Sequence, residues 1–255
     1  MKNYWFTAVM TTALLSVGAL AQGYEAVEVK NGATVKGTVK FLGAVPADET
    51  ITVTKNPEVC GTTQKRGKYV INNGRVKNAV VWIDGVSKGK PLQKSAVNVT
   101  LKSCAAEPHV GAGFVGGKFV FRNDDDIMHT VQLKLGLEYQ TKLSGRPVKD
   151  GATIYNLALP NKGVSIEKPI KEYHRYSKDT GYIQIKSNTH ECVGGYIFVF
   201  DHPYAAVTDD QGAFTLGNLP AGSYTLHIWH EGFAAQEHLI AVANGEVKDA
   251  DIEFK

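Results

Sequence analysis

The sequence is a succession of short, alternating apolar stretches closed by Asn-Gly, Gly and Pro turns, with almost no stretch of helical period. Alternation of period two puts successive side chains on opposite faces of a strand, so such a chain must solve its burial by stacking sheets. Val27, Val29, Val35, Gly37 and Val39 alternate around Asn31-Gly32 and predict two half-buried strands. Tyr69 to Ile71, the Asn72-Asn73-Gly74 turn and Val76 to Ile83 predict a hairpin-like unit, with Ala79-Val80-Val81-Trp82-Ile83 as a buried strand. Val97 to Leu101, Lys118 to Arg122, Thr130 to Leu135 and Gly181 to Ile185 read as further strands. Gly195 to Phe200, Ala213 to Leu216, Ser223 to Trp229, His238 to Val242 and Ala250 to Phe254 complete the series. This spacing predicts an all-β fold built of β-sandwiches. Gly111 to Gly117 reads as a turn segment, because it lacks the lysine and following helix of a phosphate cradle. Residues 137–180 carry the least pattern and are expected to form a surface excursion with one short helix over Lys168 to Tyr176.

Residues 1–21 are expected to be a signal peptide, from Lys2, the apolar run Ala8 to Ala19 and the small-x-small site Ala19-Leu20-Ala21. That run is too short to span a bilayer and no later stretch is longer, so no membrane span is expected. The mature chain is therefore expected in the periplasm or outside the cell, where disulfides persist. Three cysteines allow at most one intramolecular bridge and leave one thiol over. A formal charge of +3, from 28 basic and 25 acidic residues, falls short of a nucleic-acid footprint. Haem is not expected, since no Cys-x-x-Cys-His is present. Ser187 lies near His190 but has no nucleophile elbow and no third orienting group, so the chain reads as non-enzymatic. Asp124-Asp125-Asp126 lacks the glycine and terminal glutamate of a calcium loop.

Residues 187 to 231 concentrate the chemistry: His190, His202, His227 and His230 lie there with Cys192. His227 and His230 are three apart on a predicted strand and so face opposite sides of it. His202 precedes Pro203 at a tight corner, and His230 ends a strand before Glu231. His202, His230 and Glu231 are expected to fix two domains together by hydrogen bonding. His109, His174 and His238 read as surface or satisfied core histidines.

An ordered set of motifs carries a family resemblance. It comprises Pro57-Glu58-Val59-Cys60-Gly61, Val76-Lys77-Asn78-Ala79-Val80-Val81, and Cys104 followed by Glu107-Pro108-His109-Val110. Phe121-Arg122-Asn123 with His129, the Ser187 to Tyr196 loop, Asp201-His202-Pro203-Tyr204 and Trp229-His230-Glu231 follow. The chain thereby resembles the exported proteins called methylamine utilisation proteins. That family joins a cupredoxin-like Greek-key sandwich to a smaller, prealbumin-like carboxypeptidase regulatory-like sandwich. The resemblance implies an N-terminal β region over 22–105, a cupredoxin-like domain over 106–200 and a regulatory-like sandwich over 201–255. It implies histidine ligands at His129 and His190, with Ser187 in place of the copper cysteine and Val193 in place of the methionine. A serine hydroxyl cannot supply a copper–thiolate bond, so a standard blue-copper site is not expected.

In an extended segment Cys192 would share a face with His190, which suggests His129, His190 and Cys192 as ligands, with Glu191 or Met128 as a fourth. Copper is the expected metal and zinc the runner-up. The competing reading makes Cys192 a buried apolar residue. The resemblance also pairs Cys60 with Cys104, against two free thiols, and such a bridge closes a loop of roughly 45 residues. Three functions follow: a copper-binding protein without a blue-copper site, a structural or interaction module, or a redox protein using Cys192. A periplasmic redox or envelope protein is the expected partner.

Overall fold

The computed structural model describes residues 23–136, 152–171 and 182–255. The expected signal peptide lies outside them. Among the described residues no helix is long and apolar enough to cross a membrane. The all-β expectation holds: among the described residues, apart from a single turn of helix at Pro57–Cys60, the regular elements are strands.

One sandwich occupies the middle of the chain. Its first sheet runs Ala105–Glu107, Ala96–Lys102, Lys118–Asn123, Ser165–Pro169. The facing sheet runs Val110–Phe114, Gly194–Phe200, Tyr182–Lys186, His129–Leu135, Thr153–Leu159. Ala96–Lys102 pairs in parallel with Lys118–Asn123, and Val110–Phe114 in parallel with Gly194–Phe200; the other pairs are antiparallel. Alternate residues Val97, Val99 and Leu101 meet Phe119, Phe121, Val131, Leu133, Ile183 and Ile185 in one apolar core.

The second sandwich combines both ends of the chain. One sheet runs Ala205–Val207, Val80–Asp84, Gly222–His230, Phe233–Val242. The other is built on Ala33–Phe41, which pairs with Ala213–Leu219 and Arg75–Val76 and, in parallel, with Val247–Asp249 and Ile252–Phe254. The sheets therefore cross the expected segment boundaries at 105 and 200. Residues 33–84 complete the sandwich of 205–254, and 96–107 belong to the middle one.

Two strands are apolar on both faces, and the reason is shared. In Val80–Asp84, Val81 and Ile83 enter the second core while Val80 and Trp82 point away from it. In Gly194–Phe200, Ile197 and Val199 enter the first core while Phe198 and Phe200 point away. These outward faces meet, forming a third cluster that joins the sandwiches. Trp82 lies 5.8 Å from Phe198, and Trp229 lies 4.8 Å from Phe198 between ring centroids. A continuous apolar run marks a strand covered on both sides.

Three local expectations change. Val110–Phe114 is a strand rather than a turn, because glycine lets it pass close to the opposite sheet: a Cβ on Gly113 would stand 2.7 Å from Val97 and 2.9 Å from Ile170. Asn31-Gly32 does turn the chain, but only its second arm is a strand, Ala33–Phe41. The first arm lies against Gly89 instead, with Val27 N–H donating to its carbonyl at 2.7 Å. Lys168 and Pro169 end the Ser165–Pro169 strand, so no helix begins there, and residues 172–176 fall outside the described chain.

Candidate metal centre

His129 opens a strand whose inward residues are His129, Val131 and Leu133, so alternation alone carries the imidazole into one end of the middle sandwich. His190 reaches the same place from the loop between Tyr182–Lys186 and Gly194–Phe200. The ring centroids are 4.8 Å apart, inclined at 65°. The residues are 0% and 4% exposed.

The outer nitrogen of each ring is tied down. His129 Nε2 donates to the Asp125 carboxylate at 2.9 Å, and His190 Nε2 donates to Asn56 Oδ1 at 2.9 Å. Carboxylate and amide oxygens only accept, so each Nε2 carries a proton, and a ring held this way offers a bare lone pair on Nδ1 in its neutral form. Both Nδ1 atoms are buried without a hydrogen-bond partner. An orphaned buried acceptor costs about 1–3 kcal/mol, which a ligand at that spot would relieve. Burial first, and then neighbouring His129, pulls the His190 imidazole below its ordinary range and favours the neutral form that ligates.

Asp125 supports this pair. Its Oδ1 accepts from Ser103 N–H at 2.7 Å and its Oδ2 from Cys104 N–H at 2.8 Å. Ser103 and Cys104 have φ of 49° and 60° in the two-residue turn between Ala96–Lys102 and Ala105–Glu107. Neither is glycine, so the left-handed turn is strained, and the carboxylate holds it with charge-assisted bonds. Asp124 to Asp126 lack the rest of a calcium loop. The middle one serves instead as the acceptor that orients an imidazole, a common arrangement around metal-binding histidines.

Sulfur lies close by. Cys60 and Cys104 form a disulfide, and Cys192 is a half-buried free thiol. The three Sγ atoms lie within 4.8 Å of one another, and Cys104 Sγ is also within 4.8 Å of an Asp125 oxygen and a His129 nitrogen. Burial pushes the Cys192 thiol up. Its alignment with His190 rested on an extended segment, which is absent: Val193 N–H donates to the His190 carbonyl at 3.0 Å, closing a turn. Glu191 is exposed and belongs to neither donor cluster, and Met128 is 50% exposed.

Whether copper suits these residues is decided by the donors. Ser187 Oγ accepts from the N–H groups of Thr189 and His190 at 3.2 and 3.3 Å and bonds the hydroxyls of Thr130 and Thr189. Val193 is buried and apolar, and Cys104 is held in a disulfide. The arrangement fits an ion taking two imidazole nitrogens; it does not fit a thiolate blue-copper centre.

Glu231 is a polar tie between the sandwiches. Its carboxylate meets His109 Nε2 at 2.7 Å and accepts the Tyr196 hydroxyl at 3.1 Å. His202 stacks against Tyr204, and its Nδ1 accepts the Tyr204 N–H at 3.2 Å. His230 belongs to the second sandwich, stacked 4.8 Å from Phe233, with Nδ1 accepting from Gly232 N–H at 3.1 Å. Of the expected trio, Glu231 makes the hydrogen bonds across the seam. His109, read as a surface or core residue, supplies its partner. His227 stacks on Trp82 at 5.0 Å, on the face opposite His230.

Residues 193–255 match the carboxypeptidase regulatory-like domain family. The match takes in the strands from Gly194 to Phe254 but none of residues 33–84, which complete that sandwich. No curated protein matches the chain. Among solved structures, a copper-containing nitrite reductase from Thermus scotoductus SA-01 is similar over 47% of this chain, with 16% identity and a TM-score of 0.30. This chain spans only 25% of that protein's length. A proline-to-glycine mutant of amicyanin in its reduced Cu(I) form is similar over 42% of this chain and 85% of its own, with 15% identity and a TM-score of 0.26. A purple cupredoxin from Nitrosopumilus maritimus is similar over 40% of this chain and 98% of its own, with 15% identity and a TM-score of 0.26. Superpositions this loose do not bear on the site.

Proposed function

We propose that this is an exported, non-enzymatic copper-binding protein whose ion is held by His129 and His190. The observation that supports it is the pair of buried Nδ1 lone pairs without partners, on rings 4.8 Å apart. Asp125 and Asn56 orient the rings from behind, as supporting partners do for metal-ligating histidines. Zinc is the alternative ion, since imidazole nitrogen suits both. The motif order resembling methylamine utilisation proteins agrees with export and with a redox or envelope protein as partner.

Without a thiolate on the metal the centre lacks the usual tuning of a fast electron carrier. Binding or delivery of the ion fits this donor set better than electron transfer. Ser187 and Val193, spent on hydrogen bonding and packing, favour a second reading in which the sandwich is an interaction scaffold.

Titration of the metal-free mature Cys192→Ser chain with Cu(II) separates the two, with the thiol out of play. Saturable one-to-one binding with weak d–d absorption, lost in both His129→Ala and His190→Ala, is expected. Absence of saturable binding leaves the scaffold reading.

A further inference from the structure

The disulfide and the free thiol lie beside the buried imidazoles, and the placement of the sulfurs has a chemical consequence. Cys192 Sγ is within 4.8 Å of both Cys60 Sγ and Cys104 Sγ. These residues come from three separate pieces of chain: the helical turn at Pro57–Cys60, the tight turn at Ser103-Cys104, and the loop after Tyr182–Lys186. Cys60 and Cys104 are buried at 4% and 0% exposure, whereas Cys192 is half-buried. An outside thiol therefore meets Cys192 more readily than it meets the disulfide.

We propose that Cys60, Cys104 and Cys192 form a thiol–disulfide exchange triad that can release Cys104 as a sulfur donor beside His129. The Cys192 thiolate attacks Cys60 Sγ, the Cys60–Cys192 bond forms, and the Cys60–Cys104 bond breaks with its electron pair on Cys104. One disulfide is lost and one gained, so no external oxidant or reductant is consumed. The proton given up by Cys192 is taken by Cys104, or passes to solvent when a metal ion takes the Cys104 thiolate. Cys104 Sγ is the sulfur within 4.8 Å of a His129 nitrogen, so this direction of exchange is the one that alters the site. His129 and Cys104 then offer an imidazole and a thiolate, the donor type that Ser187 leaves out.

Two observations beyond the thiol itself support a ligand here: the orphaned Nδ1 of fully buried His129 and the orphaned Nδ1 of His190. The exchange stands on the sulfur cluster alone. Its coupling to a metal rests on the reading given under Proposed function.

The test uses the mature full-length chain under anaerobic conditions, with Co(II) as the probe because it reports thiolate ligation without oxidising thiols. Free thiols are alkylated under acid quench and disulfides are mapped by peptide mass analysis, with and without Co(II). Without metal, a minor Cys60–Cys192 linkage is expected after incubation at mildly alkaline pH. Saturating Co(II), by binding the exchanged form preferentially, is expected to raise that linkage roughly fivefold or more. A thiolate-to-cobalt absorption absent from Cys192→Ser is expected with it. Recovery of the Cys60–Cys104 linkage alone under every condition overturns the exchange. Co(II) bound without the thiolate band, in both the natural chain and Cys192→Ser, overturns the donor role and leaves the two-imidazole site intact. A metal-free exchange with no cobalt binding at all overturns the metal reading and the donor role, and leaves the exchange.

Discussion

Asp125 and His129 sit four residues apart and are joined by a 2.9 Å bond from His129 Nε2 to a carboxylate that also holds the Ser103-Cys104 turn. One side chain thus fixes both the orientation of an imidazole and the backbone of a disulfide cysteine. Asp125→Ala is expected to destabilise the protein by about 3 kcal/mol, since three donors lose a charged acceptor in a buried setting. Asp125→Asn keeps one oxygen, which at the Oδ2 position still accepts from Cys104 and His129, and is expected to cost about half as much. Urea unfolding monitored by tryptophan fluorescence measures both. The same variants are expected to weaken Cu(II) binding about 10–100-fold by freeing the His129 ring.

The aromatic seam makes the two sandwiches one folding unit. Phe198→Ala removes a buried ring that contacts Trp82 and Trp229, and is expected to cost about 3–5 kcal/mol. A single cooperative calorimetric transition is expected for the natural chain, splitting into two in the variant. Two resolved transitions in the natural chain would contradict the seam's role.

His230 sets a pH dependence. Burial pulls its pKa from 6.5 to about 4 in the folded protein, while the unfolded chain keeps the ordinary value. The unfolded state therefore binds the extra proton first. The contribution is complete above pH 6.5 and is lost as pH falls toward 4. The loss is at most about 3 kcal/mol. Chemical denaturation between pH 7 and pH 4 is expected to show this slope flattened in His230→Phe, whose ring can keep the stacking on Phe233.

The Cys60–Cys104 bond spans a sequence separation of 44. Loop-closure entropy predicts about 4 kcal/mol lost in Cys60→Ala/Cys104→Ala, an upper value when the unfolded chain retains structure. The shift in unfolding midpoint measures it.

The all-β architecture was legible because alternation is local: Val97, Val99 and Leu101 announce their inward face without help from elsewhere. His129 was legible for the same reason, as the inward residue that opens its strand. Its neighbours were not. Asn56 meets His190 across 134 residues and Glu231 meets His109 across 122, and nothing local in either segment encodes the encounter. Cys192 was placed by an argument about extended chain that the turn at His190–Val193 removes. Asp125 was read through its own acidic run, whereas its partners lie in a turn about twenty residues earlier.

Ile252–Phe254 lies in parallel register beside Val39–Phe41, although the ribosome makes the two segments far apart in time. During synthesis the early strand must wait, unpaired along that edge, until its distant neighbour emerges. Residues 96–200 meanwhile contain every described strand of their own sandwich, so its pairings close over shorter loops. The two histidines therefore lie in the sandwich whose strands follow one another in the chain, and its partner sandwich is complete only when the last strands are in place.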